Sequence, residues 1–367
     1  MSKIQSDYFP ELTGIRAIAA YMVFVHHFNF IDPRYFGSVF NGMAKELHIG
    51  VTFFFVLSGF LIAFRYSNME LFSFKKYMIN RIARIYPVYF VLTVFTFIAY
   101  NSFSTRDWTL LFLNLSFLRG FFEQIKFSMI AQGWSLTVEE TFYFLAPIFF
   151  LFLNKTKVAF LLIPLLSIAF GITIHLLFND FKIAGFFGSK EFVFNYTFFG
   201  RATEFTAGML LAYIIKSDIK LPRVILHFGL TICILSVFVL FKLQGNGEYD
   251  FGIRTNAGKI INTFILPFLG IVPLYYGLIK YNSLLSRLLS SSFFQILGKS
   301  SYVFYLIHVG IIHSIIGHYI STNIIVNFIL TQIISIAIWH YFEEPVNHII
   351  RKKFTLSKLN QTLQGSN

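Results

Sequence analysis

The chain has 367 residues, 56% of them hydrophobic and only 13% charged, with fifty phenylalanines and a formal net charge of +13. That balance excludes a soluble globular domain and fits an integral membrane protein. The single cysteine, Cys233, excludes an intrachain disulfide and argues against a thiolate metal site. Candidate spans of about 17–25 mostly apolar residues lie near residues 12–30, 50–66, 86–101, 134–153, 158–178, 199–215, 223–242, 260–279, 293–317 and 322–342. The expected fold is therefore all-α and polytopic, with about ten transmembrane helices.

The first predicted helix reads LTGIRAIAAYMVFVHHFNF. Arg16 and His27 lie eleven residues apart, about three helical turns, so both point to one face roughly 16 Å from each other. An ionisable residue within a span is costly and by default faces a protein interior or a wet cavity. The pair is accordingly expected to line one internal cavity. The plainer alternative is an Arg16 that snorkels to the interface and a His27 satisfied in the core. His26 projects about 100° away, so its loss is expected to matter less. With Lys3, Asp7 and Glu11 ahead of the helix and Arg16 within it, no cleavable signal peptide is legible. The helix is expected to stay as an anchor.

Between the second and third spans, FKKYMINRIARIYPVY reads as a basic cytoplasmic loop in which Arg81 and Arg84 share a helix face. Topogenic charge explains it, and so does a site for a phosphorylated cofactor. The apolar stretch 108–118 is only about eleven residues long and is expected to be re-entrant or interfacial. WSLTVEETFYFLAP, residues 134–147, sets Glu139 and Glu140 just inside a span. Tyr143 shares the face of Glu139. A buried carboxylate needs a cation, a donor or a proton, so at least one of the two is expected to face the Arg16–His27 cavity. Solvated acids anchoring a helix start are the alternative.

Further along, Arg201 and Glu204 in FFGRATEFTAGML are spaced to pair on one helix face, for structure or for function. In LGKSSYVFYLIHVGI, Tyr302 and Tyr305 share a face and His308 follows, as packing or as a polar stripe of functional groups. Residues 1–350 form one expected membrane domain, followed by a short polar tail over 351–367. With a cytoplasmic N-terminus, cytoplasmic segments carry seventeen basic residues against six acidic, and the opposite side ten against eight. The asymmetry predicts both termini in the cytoplasm. The positive charge reads as topology plus attraction to anionic lipid, not as nucleic-acid binding. No metal is expected, because the His26–His27 pair has the wrong spacing for two ligands on one helix face.

These segments, in this order, resemble the integral-membrane acyltransferase-3 family, polytopic O-acyltransferases that decorate lipopolysaccharide, capsule, peptidoglycan and other glycans. An arginine, ten residues and a histidine fall on Arg16 and His27. GVxxFFVLSGFLI falls on Gly50 to Ile62, RxxRIYPxY on Arg81 to Tyr89, and WSLxVEExFY on Trp134 to Tyr143. Weaker echoes are Arg201–Glu204, Gly298 to His308, and Phe342 to Pro345. An acid often found at position 52 in the family is Thr52 here. No esterase-like extension follows the last span, so the chain looks like the stand-alone type.

The resemblance implies an acyl-CoA donor, usually acetyl-CoA, entering from the cytoplasm, and a hydroxyl of a lipid-linked or surface glycan as acceptor. It implies His27 as general base, with a transient acyl carrier as the alternative role, oriented by Glu139 or Glu140, with Arg16, Arg81 and Arg84 holding donor phosphates. Tyr143, Arg201, Glu204, Tyr305 and His308 are then substrate-contacting or structural polar groups. The implied location is the cell (inner) membrane. The competing class is a transporter or flippase of a lipid-linked sugar, which intramembrane charge suits equally.

Overall fold

The computed structural model describes residues 8–100, 103–178, 183–245, 247 and 250–364, without the side chains of 71 and 355–364. The topological reading of Lys3, the end of the third span at 101 and the last three tail residues lie outside that range.

The chain opens with α1 (Pro10–His27), then α2 (Pro33–Lys45), α3 (Gly50–Tyr66), α4 (Phe74–Tyr100) and the short α5 (Thr105–Leu115). After a stretch of 3-10 turns come α6 (Trp134–Lys155), α7 (Ala159–Phe178), α8 (Lys190–Tyr196), α9 (Phe198–Lys216) and α10 (Ile225–Lys242). A continuous helical rod follows, α11 (Asn256–Ile260), a π-helical stretch (Ile261–Ile271) and α12 (Val272–Lys280). Then come α13 (Leu284–Leu289), α14 (Ser292–Ile307) and α15 (Ile311–Tyr319). Last, α16 (Ile324–Ile338) passes through a π turn (Trp339–Glu343) into α17 (Glu344–Gln364). Helix thus fills most of the segment expected to be a polar tail.

Each of the ten candidate spans is helical, but among the described residues only seven helices are long and apolar enough to cross a membrane, or eight if the bent pair α14–α15 counts as one. The two that fall short are α1 and α9. Their polar residues, Glu11, Arg16 and the histidines in one and Arg201, Glu204 and Lys216 in the other, dilute their apolar length. Both sit in the interior. Helix α9 lies against α3, where Gly59 and Gly208 let the backbones meet: a Cβ on Gly208 would stand 2.0 Å from the Val56 carbonyl oxygen. Small residues at such a crossing replace the hydrophobic drive that lipid does not supply. Of the apolar span in α3, 72% is buried in protein, against 22% in α7, whose exposed Leu161, Leu165, Leu166, Phe170 and Leu177 suit lipid.

Two sequence expectations change in physical detail. The basic loop of residues 74–89 is instead the first half of the 27-residue α4. Its cations are spaced by apolar Met78, Ile82 and Ile85 in a helical pattern. The ninth span is not continuous, because α14 and α15 meet at 85°. Gly310 makes the break at φ 104°, a conformation that costs glycine little. His308 is left at the end of α14. The short stretch 108–118 falls on α5 and its following turn.

Candidate active site

A cavity opens among α1, α3, α4, α6 and α14, and its polar wall is made by Arg16, Ser58, Arg81, Arg84, Glu139 and Tyr143. Each of these helices contributes at a period that turns the polar residue inward and its apolar neighbours to the packing. Ser58 is the one hydroxyl in the middle of the apolar run of α3. It donates to Glu139 Oε1 at 2.5 Å and lies 3.4 Å from the Tyr143 hydroxyl. Tyr143 is held in turn, since Tyr77 donates to its backbone carbonyl at 2.9 Å. Arg84 pairs with Glu343 at 2.7 Å, across to the π turn of the last long helix. The guanidinium of Arg81 lies over the rings of Tyr66 and Tyr143 at 6.0 and 5.8 Å, a cation–π placement. The Nε groups of Arg16 and Arg81 are buried with no hydrogen-bond partner among the described residues. Three guanidiniums stand at this cavity, and the unpartnered Nε groups of two of them leave free cationic donors. That is the chemistry of a site for an anion.

The far wall of the cavity includes Ser135 and Tyr305, whose hydroxyls lie 2.9 Å apart. Beyond Tyr305 stands His308, with ring centroids 5.7 Å apart, and beyond His308 stands His27 at 5.3 Å. His308 is fully buried, and its Nδ1 lies 2.8 Å from the Tyr305 carbonyl oxygen. The carbonyl can only accept, so Nδ1 carries the proton. That leaves Nε2 as a lone pair, and it is buried without a partner. The amide of Gln132 at the entry to α6 donates to the Val309 carbonyl at 3.3 Å and fixes the break behind His308. Arg119, fully buried, ties this entry loop together by donating to the carbonyls of Ser128 and Ile130. His27 is exposed at the last residue of α1, with His26 4.9 Å away. A cationic cavity and an open imidazole thus stand at the two ends of α1, with packed hydroxyls and a buried imidazole between them.

A family model described as an acyltransferase domain matches residues 9–341. The chain belongs to this acyltransferase-3 family. It is 26% identical to the O-acetyltransferase OatA of Staphylococcus aureus over 94% of this chain and 58% of that protein. It is 27% identical to the peptidoglycan O-acetyltransferase OatA of Listeria monocytogenes over 85% of this chain and 50% of that protein. The chain spans little more than half the length of these curated relatives. No solved structure matches it.

Against the acyltransferase-3 motifs, the structure gathers some expected site residues and separates others. Arg16, Arg81, Arg84, Glu139, Tyr143 and Tyr305 line the cavity. Glu140 is half-buried and turned off its wall, as the helical divergence from Glu139 requires. The expectation that Arg16 and His27 share one cavity is not met. Their common helix face runs out of the cavity to the end of α1, where the backbone leaves the helix at Phe28. Arg201 and Glu204 pair at 2.5 Å, away from the cavity wall. Arg201 also donates to Thr52 at 3.0 Å. His26, expected to matter less, has its Nδ1 2.6 Å from the Lys45 carbonyl oxygen. Sequence reasoning passed over Ser58, Gln132 and Glu343. The lone hydroxyl of the VLSGF run was the available signal for Ser58, and the FEEP motif for Glu343.

Proposed function

We propose that this chain is a membrane-bound O-acetyltransferase that moves an acyl group from an acyl-CoA thioester to a hydroxyl of a cell-surface glycan. The observation that carries this reading is a cavity with unpartnered guanidinium donors at one end of α1 and an exposed imidazole at the other. Arg16, Arg81 and Arg84 hold the donor's phosphates, with bidentate charge-assisted contacts available to each. About 16 Å of helix separates Arg16 from His27, a gap for the donor's flexible arm to bridge past Ser135, Tyr305 and His308. His27 takes the proton of the acceptor hydroxyl as its oxygen bonds to the thioester carbonyl carbon. The carbon–sulfur bond breaks, and the proton passes to the departing thiolate. Glu139, hydrogen-bonded to Ser58, balances Arg16 in the donor cavity, and this replaces the role of orienting His27. The cationic end faces the cytoplasm, in line with the surplus of basic residues there. Peptidoglycan is the favoured acceptor, because a relative's name carries it.

The full chain in inside-out vesicles, loaded with peptidoglycan precursor in the lumen and given acetyl-labelled acetyl-CoA outside, tests the reading. Base-labile label on the glycan is the expected result. Movement of glycan across the bilayer with no label transferred would replace it with a transporter.

A further inference from the structure

At the His27 end, a buried carboxylate that no motif announced stands behind the histidines. Glu46, in the turn between α2 and α3, is fully buried. Its Oε1 accepts from the Gln244 side chain at 2.6 Å and from the Gly252 backbone N–H at 2.8 Å. Its Oε2 has no hydrogen-bond partner and lies 3.7 Å from His48 Nδ1. Both ring nitrogens of His48 are buried and unpartnered. The His48 ring meets His26 edge to face at 5.4 Å, and His26 meets His27 in the same way at 4.9 Å. Phe251 packs on both His26 and His48 and closes the group from the side. These are ring contacts, and among the described residues no three His, Cys, Asp or Glu are disposed to hold a metal ion.

We propose that Glu46, acting through His48 and His26, is a positioning and charge-balancing residue for His27. The inference rests on the acyltransfer reading above. When His27 takes the acceptor's proton it becomes an imidazolium, next to the imidazoles of His26 and His308. A carboxylate fixed in advance at the far end of this chain stabilises that charge without reorganising, and low local polarity makes its field count. The Glu139 oxygen that is hydrogen-bonded is committed to Ser58, so Glu46 is the acid that serves the histidine end. His26, pinned by the Lys45 carbonyl, holds the ring that His27 packs against.

The test uses the full chain in nanodiscs, with kcat and both KM values measured for acetyl transfer. Glu46→Gln keeps an oxygen for Gln244 and Gly252 and removes only the charge facing His48. It should lower kcat about tenfold or more while both KM values stay within about twofold of wild type. Glu46→Asp should recover part of the lost kcat. His48→Gln, read beside them in case Glu46→Gln fails to fold, should show the same loss confined to kcat. Wild-type kcat in Glu46→Gln or His48→Gln overturns the proposal, and so does equal loss in Glu46→Gln and Glu46→Asp together with a lowered Tm. An inactive wild type would instead sink the acyltransfer reading. Active wild type, inactive His27→Ala and full-speed Glu46→Gln would sink this inference alone.

Discussion

Arg84 and Glu343 show how single residues set the cavity's charge. Glu343 is 1% exposed and its partner 25%, so Glu343→Gln strands a cation at the edge of an apolar interior. Breaking a buried pair costs about 3–5 kcal/mol, and partial exposure of Arg84 puts this case at or below the lower end. The expected outcome is a lowered Tm in detergent together with a changed donor KM. Arg16 makes a second test. Arg16→Ala should raise the donor KM, and Arg16→Lys should restore only part of the affinity, because an ammonium lacks the planar fork that grips phosphate. A titration of acetyl-CoA at fixed acceptor reads both. The residues named by motif were legible because each is an ionisable or hydroxyl group in an apolar helix, where its cost demands a purpose. Glu46 and Gln132 were not, because they lie in turns, where polar residues are ordinary.

At the level of elements, apolar length marked ten segments, all of them helical, of which seven or eight are long and apolar enough to cross a membrane, and helical spacing marked the cavity-facing Glu139 and Tyr143 of α6. It missed the helical start of α4, since a cluster of cations reads as a loop until the intervening apolar residues are counted. It also missed the break at Gly310, because glycine within an apolar helix is common and only its backbone angle tells. The α3–α9 crossing is among the tightest contacts. Gly208→Val would drive a side chain into the backbone of α3, with its Cβ 2.0 Å from an oxygen that cannot move alone. Overpacking of this kind costs about 1–3 kcal/mol or more. The prediction is a sharp loss of monodisperse protein in size-exclusion chromatography, against unchanged yield for a lipid-facing control such as Leu166→Val.

For the whole molecule, the arrangement is a bundle in which α1 and α9, with their charged residues, lie among more apolar helices. Composition alone told the class, and charge asymmetry proposed the orientation. What composition could not tell is that Arg16 and His27 open on different surroundings, because that depends on where α1 stops and on what α14 brings beside it. The orientation predicts that a reporter inserted in the 103–133 stretch is active only outside the cytoplasm, and that one fused after α17 is active only inside. A cytoplasmic 103–133 would reverse the proposed donor route.

The account turns on His27, and one comparison tests it most directly: mass spectrometry of glycan from cells making the wild-type chain or His27→Ala at matched membrane levels. Loss of a general base lowers rate about 10²–10⁴-fold, so the account predicts that His27→Ala leaves the protein inserted and the glycan without its acyl groups. Full acylation of the glycan by His27→Ala would contradict it.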